Sequence, residues 1–240
     1  MENLLCSLFL IIVPAFASAV LLLRIRKNQL IISRLFFWNY GVGFLILSLV
    51  HLPIFFINLR IFTLHYSDLM ILSGISFLAL LISYLFFYRG TVLLLTRDRF
   101  ITTVFPIFTL PFIAALAIFS LFVIKVGTLL MYTAIAWGFL LPNNTYLASL
   151  FLYFFIKGAP FDSLHRRPPA LFLSLAWFIV LVTDIMLWLD AAVYNPELWI
   201  LKLASLKGIL IAKTFGYLLI FIGCLFYSRY APQPKTEEKT

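Results

Sequence analysis

Residues 4–23 read LLCSLFLIIVPAFASAVLLL, twenty consecutive positions without a charged side chain. A helix needs about 20 predominantly apolar residues to cross the roughly 30 Å hydrocarbon core of a bilayer. This run therefore has both the length and the composition of a membrane span. It begins directly after Met1-Glu2-Asn3, with no basic segment ahead of it and no small-x-small cleavage pattern behind it. A secretory signal carries both features, so the run is expected to be a retained helix.

Working outward, comparable apolar runs follow at about 35–57, 67–88, 102–124, 129–156, 169–192 and 203–228. The fourth and fifth are separate. Residues 101–156 contain one charge, Lys125, and a single helix of that length would reach about 84 Å; Lys125-Val126-Gly127 supplies the turn. Whole-chain composition agrees. Apolar residues make up 64% of 240 positions, charged residues 11%, with 27 Phe and a mean hydropathy of +1.09. That leaves too little polar surface to cover a soluble domain of this length. The expected fold is an all-α polytopic bundle of about seven transmembrane helices, surrounded by membrane lipid.

Loop charge sets an orientation, because cytoplasmic loops are enriched in Lys and Arg. One set of alternate loops holds Arg24, Arg26, Lys27, Arg34, Arg89, Arg97, Arg99, Lys157, Arg166, Arg167, Arg229, Lys235 and Lys239. The other holds only Arg60, Lys125, Lys202 and Lys207. This asymmetry places the C-terminus in the cytoplasm, and an odd helix count places the N-terminus outside, with the cell membrane as the expected location. The net charge of +9 is thus explained by topology. No basic face suited to nucleic acid emerges.

No loop is long enough for a soluble domain, and residues 229–240 read as a disordered cytoplasmic tail. Asn195-Pro196-Glu197 has the pattern of a helix start, which would begin the last helix ahead of its apolar run. No period of about 20 to 50 residues marks a repeat array.

Function then has to reside in the bundle or its rims. An ionisable residue at the centre of a span costs about 2.5–3.5 kcal/mol on insertion scales, so it tends to face the bundle and find a partner. Asp184 and Lys213 qualify. Counted from the outer ends of consecutive spans they lie at similar depth, so their opposite charges could meet, as a structural ion pair or as a substrate, ion or proton site, the remaining alternative being a Lys213 that snorkels outward. Around them run stripes of polar and small residues at helical spacing. These are Lys213, Gly216, Tyr217, Gly223 and Cys224; Tyr66, Ser73, Ser76, Ser83 and Tyr84; and Tyr40, Gly43 and His51. Small residues permit close helix packing. An outward-facing polar pocket that includes His51 and Tyr217 is the sharper alternative. Pro142-Asn143-Asn144-Thr145 breaks the fifth span, where Asn143 and Asn144 could satisfy freed backbone groups or line a cavity.

Signatures of soluble enzymes are missing. There is no Gly-rich phosphate loop, His51, His65 and His165 are scattered, and no Cys or His pair has metal spacing. No enzyme activity, metal or cofactor is expected from the residue pattern. Cys6 and Cys224 fall near opposite membrane faces and are too far apart for a disulfide.

Two resemblances follow from these residues. Ala212-Lys213-Thr214-Phe215-Gly216-Tyr217-Leu218-Leu219 in the last span, with seven helices and an outside N-terminus, resembles a microbial rhodopsin, and Tyr66-Ser67-Asp68 resembles that family's counterion segment. The resemblance implies a Schiff base between Lys213 and retinal, with Asp68 as its counterion. Departures are Ile209, where the family has an acidic residue, His65, where it has an arginine, and an aromatic cluster echoed only by Trp177 and Trp188. The apolar first helix, basic loop and short connectors also look like the seven-helix sensory input regions ahead of bacterial histidine kinases and cyclases.

The leading expectation is a sensor, receptor-like or scaffolding element that recognises a small lipophilic ligand or another membrane protein from the outer half of the bundle. The rival is a small transporter or channel that uses Asp184, Lys213 and the Asn143-Asn144 kink. A path needs polar groups in both halves of the bilayer, whereas a pocket needs one mouth.

Overall fold

The computed structural model describes residues 2–26, 31–58, 66–95, 144–153, 155–156, 167–192 and 206–229. All secondary structure among these is helical. The elements are α1 (Glu2–Ile25), α2 (Ile31–Asn58), α3 (Tyr66–Leu95), α4 (helical residues 144–153), α5 (Arg167–Ala192) and α6 (Leu206–Arg229). The expected span at 102–124, the first part of that at 129–156, the Asn195-Pro196-Glu197 helix start and all but the first residue of the 229–240 tail lie outside the described residues.

Four of these helices, α1, α2, α5 and α6, are long and apolar enough to cross a membrane, through Leu4–Ile25, Ser33–Leu52, Pro168–Met186 and Gly208–Phe226. Helix α3 runs 30 residues and continues past Arg89 to Leu95, well beyond the apolar run that ends near residue 88. Nothing in Arg89-Gly90-Thr91-Val92 forbids a helix, since one glycine costs only about 1 kcal/mol. Pro168 and Pro169 fall in the first turn of α5, where their missing N–H groups have no helical acceptor anyway.

Helix α1 packs on α2 and on α6, α2 on α3, and α5 on α6. Large apolar side chains cover much of the described surface, and several polar ones lie inside. Phe9, Phe16 and Leu23 on α1, Phe178 on α5 and Phe215 on α6 are exposed, while Asn39, Ser83, Thr91, Asn144, Asp184 and Lys213 are buried. An exterior of large apolar side chains, with polar groups gathered inside a largely apolar core, suits hydrocarbon as the surrounding medium.

Small residues bring the backbones together. A Cβ on Gly43 of α2 would sit 2.8 Å from Phe87 Cε1, and one on Gly223 of α6 would sit 2.5 Å from Leu173 Cδ2. The Ser83 hydroxyl exploits the first approach and donates across the α2–α3 interface to the Gly43 carbonyl at 2.8 Å. Between α5 and α4, Ser174 donates to the Ala148 carbonyl at 2.8 Å.

Candidate functional site

Asp184, on the inward face of α5, is completely buried, and a carboxylate withdrawn from water needs donors on both oxygens. It has three. Lys213 Nζ of α6 lies 2.6 Å from Oδ1, Tyr84 of α3 donates to Oδ2 at 3.2 Å, and Asn144 Nδ2 of α4 donates to the same oxygen. Four helices therefore meet at one side chain.

Lys213 and Tyr217 stand four residues apart on α6 and share a face. The Tyr217 hydroxyl lies beside the Lys213 ammonium and 3.5 Å from the Tyr84 hydroxyl. Because Tyr84 spends its proton on Asp184, the proton in the longer tyrosine contact comes from Tyr217. Donation thus runs from Tyr217 to Tyr84 and on to Asp184, while Lys213 donates to Asp184 directly. One carboxylate and one ammonium leave the cluster formally neutral, the condition under which charges persist inside a membrane.

His51 of α2 is buried, within electrostatic range of the Lys213 ammonium. Its Nε2 and the Asn144 Oδ1 have no hydrogen-bond partner among the described residues.

A second buried polar cluster lies farther along α3. Thr91 donates to the Phe87 carbonyl at 2.8 Å, so the 2.6 Å contact with Tyr40 carries the Tyr40 proton to Thr91. Nearby, Asn39 Nδ2 donates to the Leu35 carbonyl at 2.7 Å. Between the clusters is a layer of aromatic rings, Phe44, Phe87 and Trp177, all fully buried.

Of the residues singled out from the sequence, Asp184, Lys213, Tyr217 and Asn144 come together here, with His51 at the edge. Asn143 lies outside the described residues. Asp68 belongs to α3 but stands sixteen positions before Tyr84, about 24 Å along the helix axis. It is thus remote from the level at which α3 meets Asp184 and Lys213. Tyr84 belonged to an expected inward stripe, yet periodicity could not say what it would touch. Phe87 and Thr91 carried no signal beyond an apolar run and a helix end.

Among the described residues no group of three or more His, Cys, Asp or Glu could hold a metal ion. Cys6 and Cys224 are both buried as free thiols. No family model, no curated protein and no solved structure matches the chain.

Proposed function

We propose that the protein is a seven-helix membrane protein of the cell membrane, N-terminus outside and C-terminus cytoplasmic, acting as a sensor, receptor-like or scaffolding element. The observation that carries this reading is the convergence of α3, α4 and α6 on the Asp184 carboxylate. A satisfied buried network holds its helices in one arrangement, and loss of any donor leaves a charge or dipole unpaired in low dielectric. Such a junction couples helix positions. A small lipophilic ligand or a neighbouring membrane protein that shifts one helix would change the hydrogen bonding of all four, and so carry a local event across the bundle.

The test is backbone hydrogen exchange on protein in nanodiscs, with and without lipophilic fractions extracted from its native membrane. A fraction that acts through the junction accelerates or slows exchange in α3, α4, α5 and α6 together, and Asp184→Asn abolishes that concerted response. No response to any fraction, together with no partner recovered from native membranes, would count against a sensor.

The transporter or channel reading draws support from a separate observation, the Tyr40–Thr91 pair. It puts polar groups in the second half of the bundle, where a path needs them. Flux in proteoliposomes that ignores Asp184→Asn and Lys213→Met would remove those two residues from any such path.

A further inference from the structure

Phe87 sits at the centre of the aromatic layer between the two buried polar clusters. Tyr84, Phe87, Tyr88 and Thr91 share a face of α3 by their spacing, and the Tyr84 and Thr91 positions stand about 10 Å apart along the axis. Phe87 lies between them, its ring centroid 5.2 Å from Tyr40, 5.0 Å from Phe44, 5.4 Å from Trp177 and 6.1 Å from Tyr84. The absent side chain of Gly43 makes the space that the ring fills.

We propose that Phe87 is a hydrophobic gate in a proton path that joins the Asp184 cluster to the Tyr40–Thr91 pair, closed in this structure. The inference goes beyond the sensor reading and shares with it only the premise that the bundle spans a membrane.

Three observations support it. Each cluster touches the ring layer through a tyrosine, Tyr84 packing on Phe87 from one side and Tyr40, which bonds Thr91, from the other. A hydroxyl relays a proton without net change, accepting one on its oxygen while giving up its own. The Trp177 indole N–H, packed against both Tyr84 and Phe87, is fully buried and has no acceptor among the described residues. Water admitted by movement of the Phe87 ring would gain that donor and the flanking hydroxyls, and a buried water needs about two to four such partners. The layer also has the character of a dewetting constriction, since aromatic rings exclude water until they move. The chemistry selects the proton over larger ions: hydroxyls, one amide and a neutral charge pair offer no ligand shell to replace the hydration of a metal ion or an anion.

The experiment reconstitutes the full chain in liposomes containing a pH-reporting dye and applies a potassium diffusion potential with valinomycin. Phe87→Leu and Phe87→Met keep an apolar side chain at the position, and flux is scored on protein that elutes as the wild-type species. Wild-type protein conducts little, and both variants raise proton influx severalfold. Adding Thr91→Val to Phe87→Leu returns the flux toward wild type by removing one relay group. Phe37→Leu, a truncation of a fully buried ring on the same α2 helix as Gly43, leaves flux unchanged. Wild-type flux in both Phe87 variants overturns the proposal, as does an equal leak in Phe37→Leu. The gate and the sensor fail separately. A concerted exchange response with no leak removes the gate alone, and a leak without such a response removes the sensor alone.

Discussion

Lys213 reaches across from α6 to place its ammonium 2.6 Å from the Asp184 carboxylate, with neither side chain open to the surroundings. A buried pair of this kind contributes little net stability relative to a well-packed apolar pair, but losing one partner strands the other charge at a cost of about 3–5 kcal/mol. Asp184→Asn and Lys213→Met are each expected to lower the thermal midpoint in detergent strongly. The double variant recovers most of the loss. A double-mutant cycle isolates that coupling, and additive effects would show that the two charges are solvated independently.

Tyr84 and Asn144 share Asp184 Oδ2, so removing one donor leaves the oxygen with the other. Tyr84→Phe also leaves the Tyr217 hydroxyl without its acceptor. The expected loss is about 1–3 kcal/mol, the range for stranding a buried polar group. In Tyr40→Phe, Thr91 keeps its own bond to the Phe87 carbonyl, and the loss is smaller, about 1 kcal/mol. Thermal melts of the two variants side by side rank them.

Gly43 and Gly41 give opposite forecasts from similar spacing. A Cβ at Gly43 meets a Phe87 ring hemmed in by four other aromatic rings, whereas one at Gly41 meets the Leu22 side chain at 2.7 Å. Leu22 is only partly buried, and its side chain can give way by rotation about its own bonds. Gly43→Ala is expected to cost about 1–3 kcal/mol as overpacking, and Gly41→Ala distinctly less. Equal melting shifts would mean that the aromatic layer yields as readily as a leucine.

Retinal provides a colour test of Lys213. Its ammonium is held by Asp184, and Asp68, the counterion that the rhodopsin resemblance implies, lies about 24 Å along α3 from Tyr84, the residue by which that helix meets Asp184. Purified protein mixed with retinal is expected to stay colourless. A visible band that vanishes in Lys213→Ala would reverse that expectation.

Much of the architecture was legible because its causes are local in sequence. An uncharged run such as residues 4–23 can satisfy its backbone in lipid only as a helix, and α1 forms there. Depth counting put Asp184 and Lys213 on a common level because each could be measured from the end of its own span, and consecutive spans are neighbours. Asp68 shows where this reasoning stops. Short sequence similarity tied it to Lys213, but the level at which α3 meets α5 and α6 depends on how far α3 extends. Its extension through Arg89 to Leu95 is not encoded in hydropathy. The partners of Tyr84 were hidden for a related reason, since helical periodicity assigns a face but not the neighbour opposite it. Phe87 is one of 27 phenylalanines, and only the space left by Gly43 distinguishes it.

Asp184 and Lys213 belong to helices that follow one another along the chain, and this bears on how the protein is made. Either helix entering the bilayer alone would carry an uncompensated charge, costing about 2.5–3.5 kcal/mol on insertion scales. As a hairpin, each neutralises the other before the rest of the bundle is present. The pair therefore favours cooperative insertion of α5 and α6 during synthesis, and a nascent chain halted between them would be the form most exposed to rejection by the membrane.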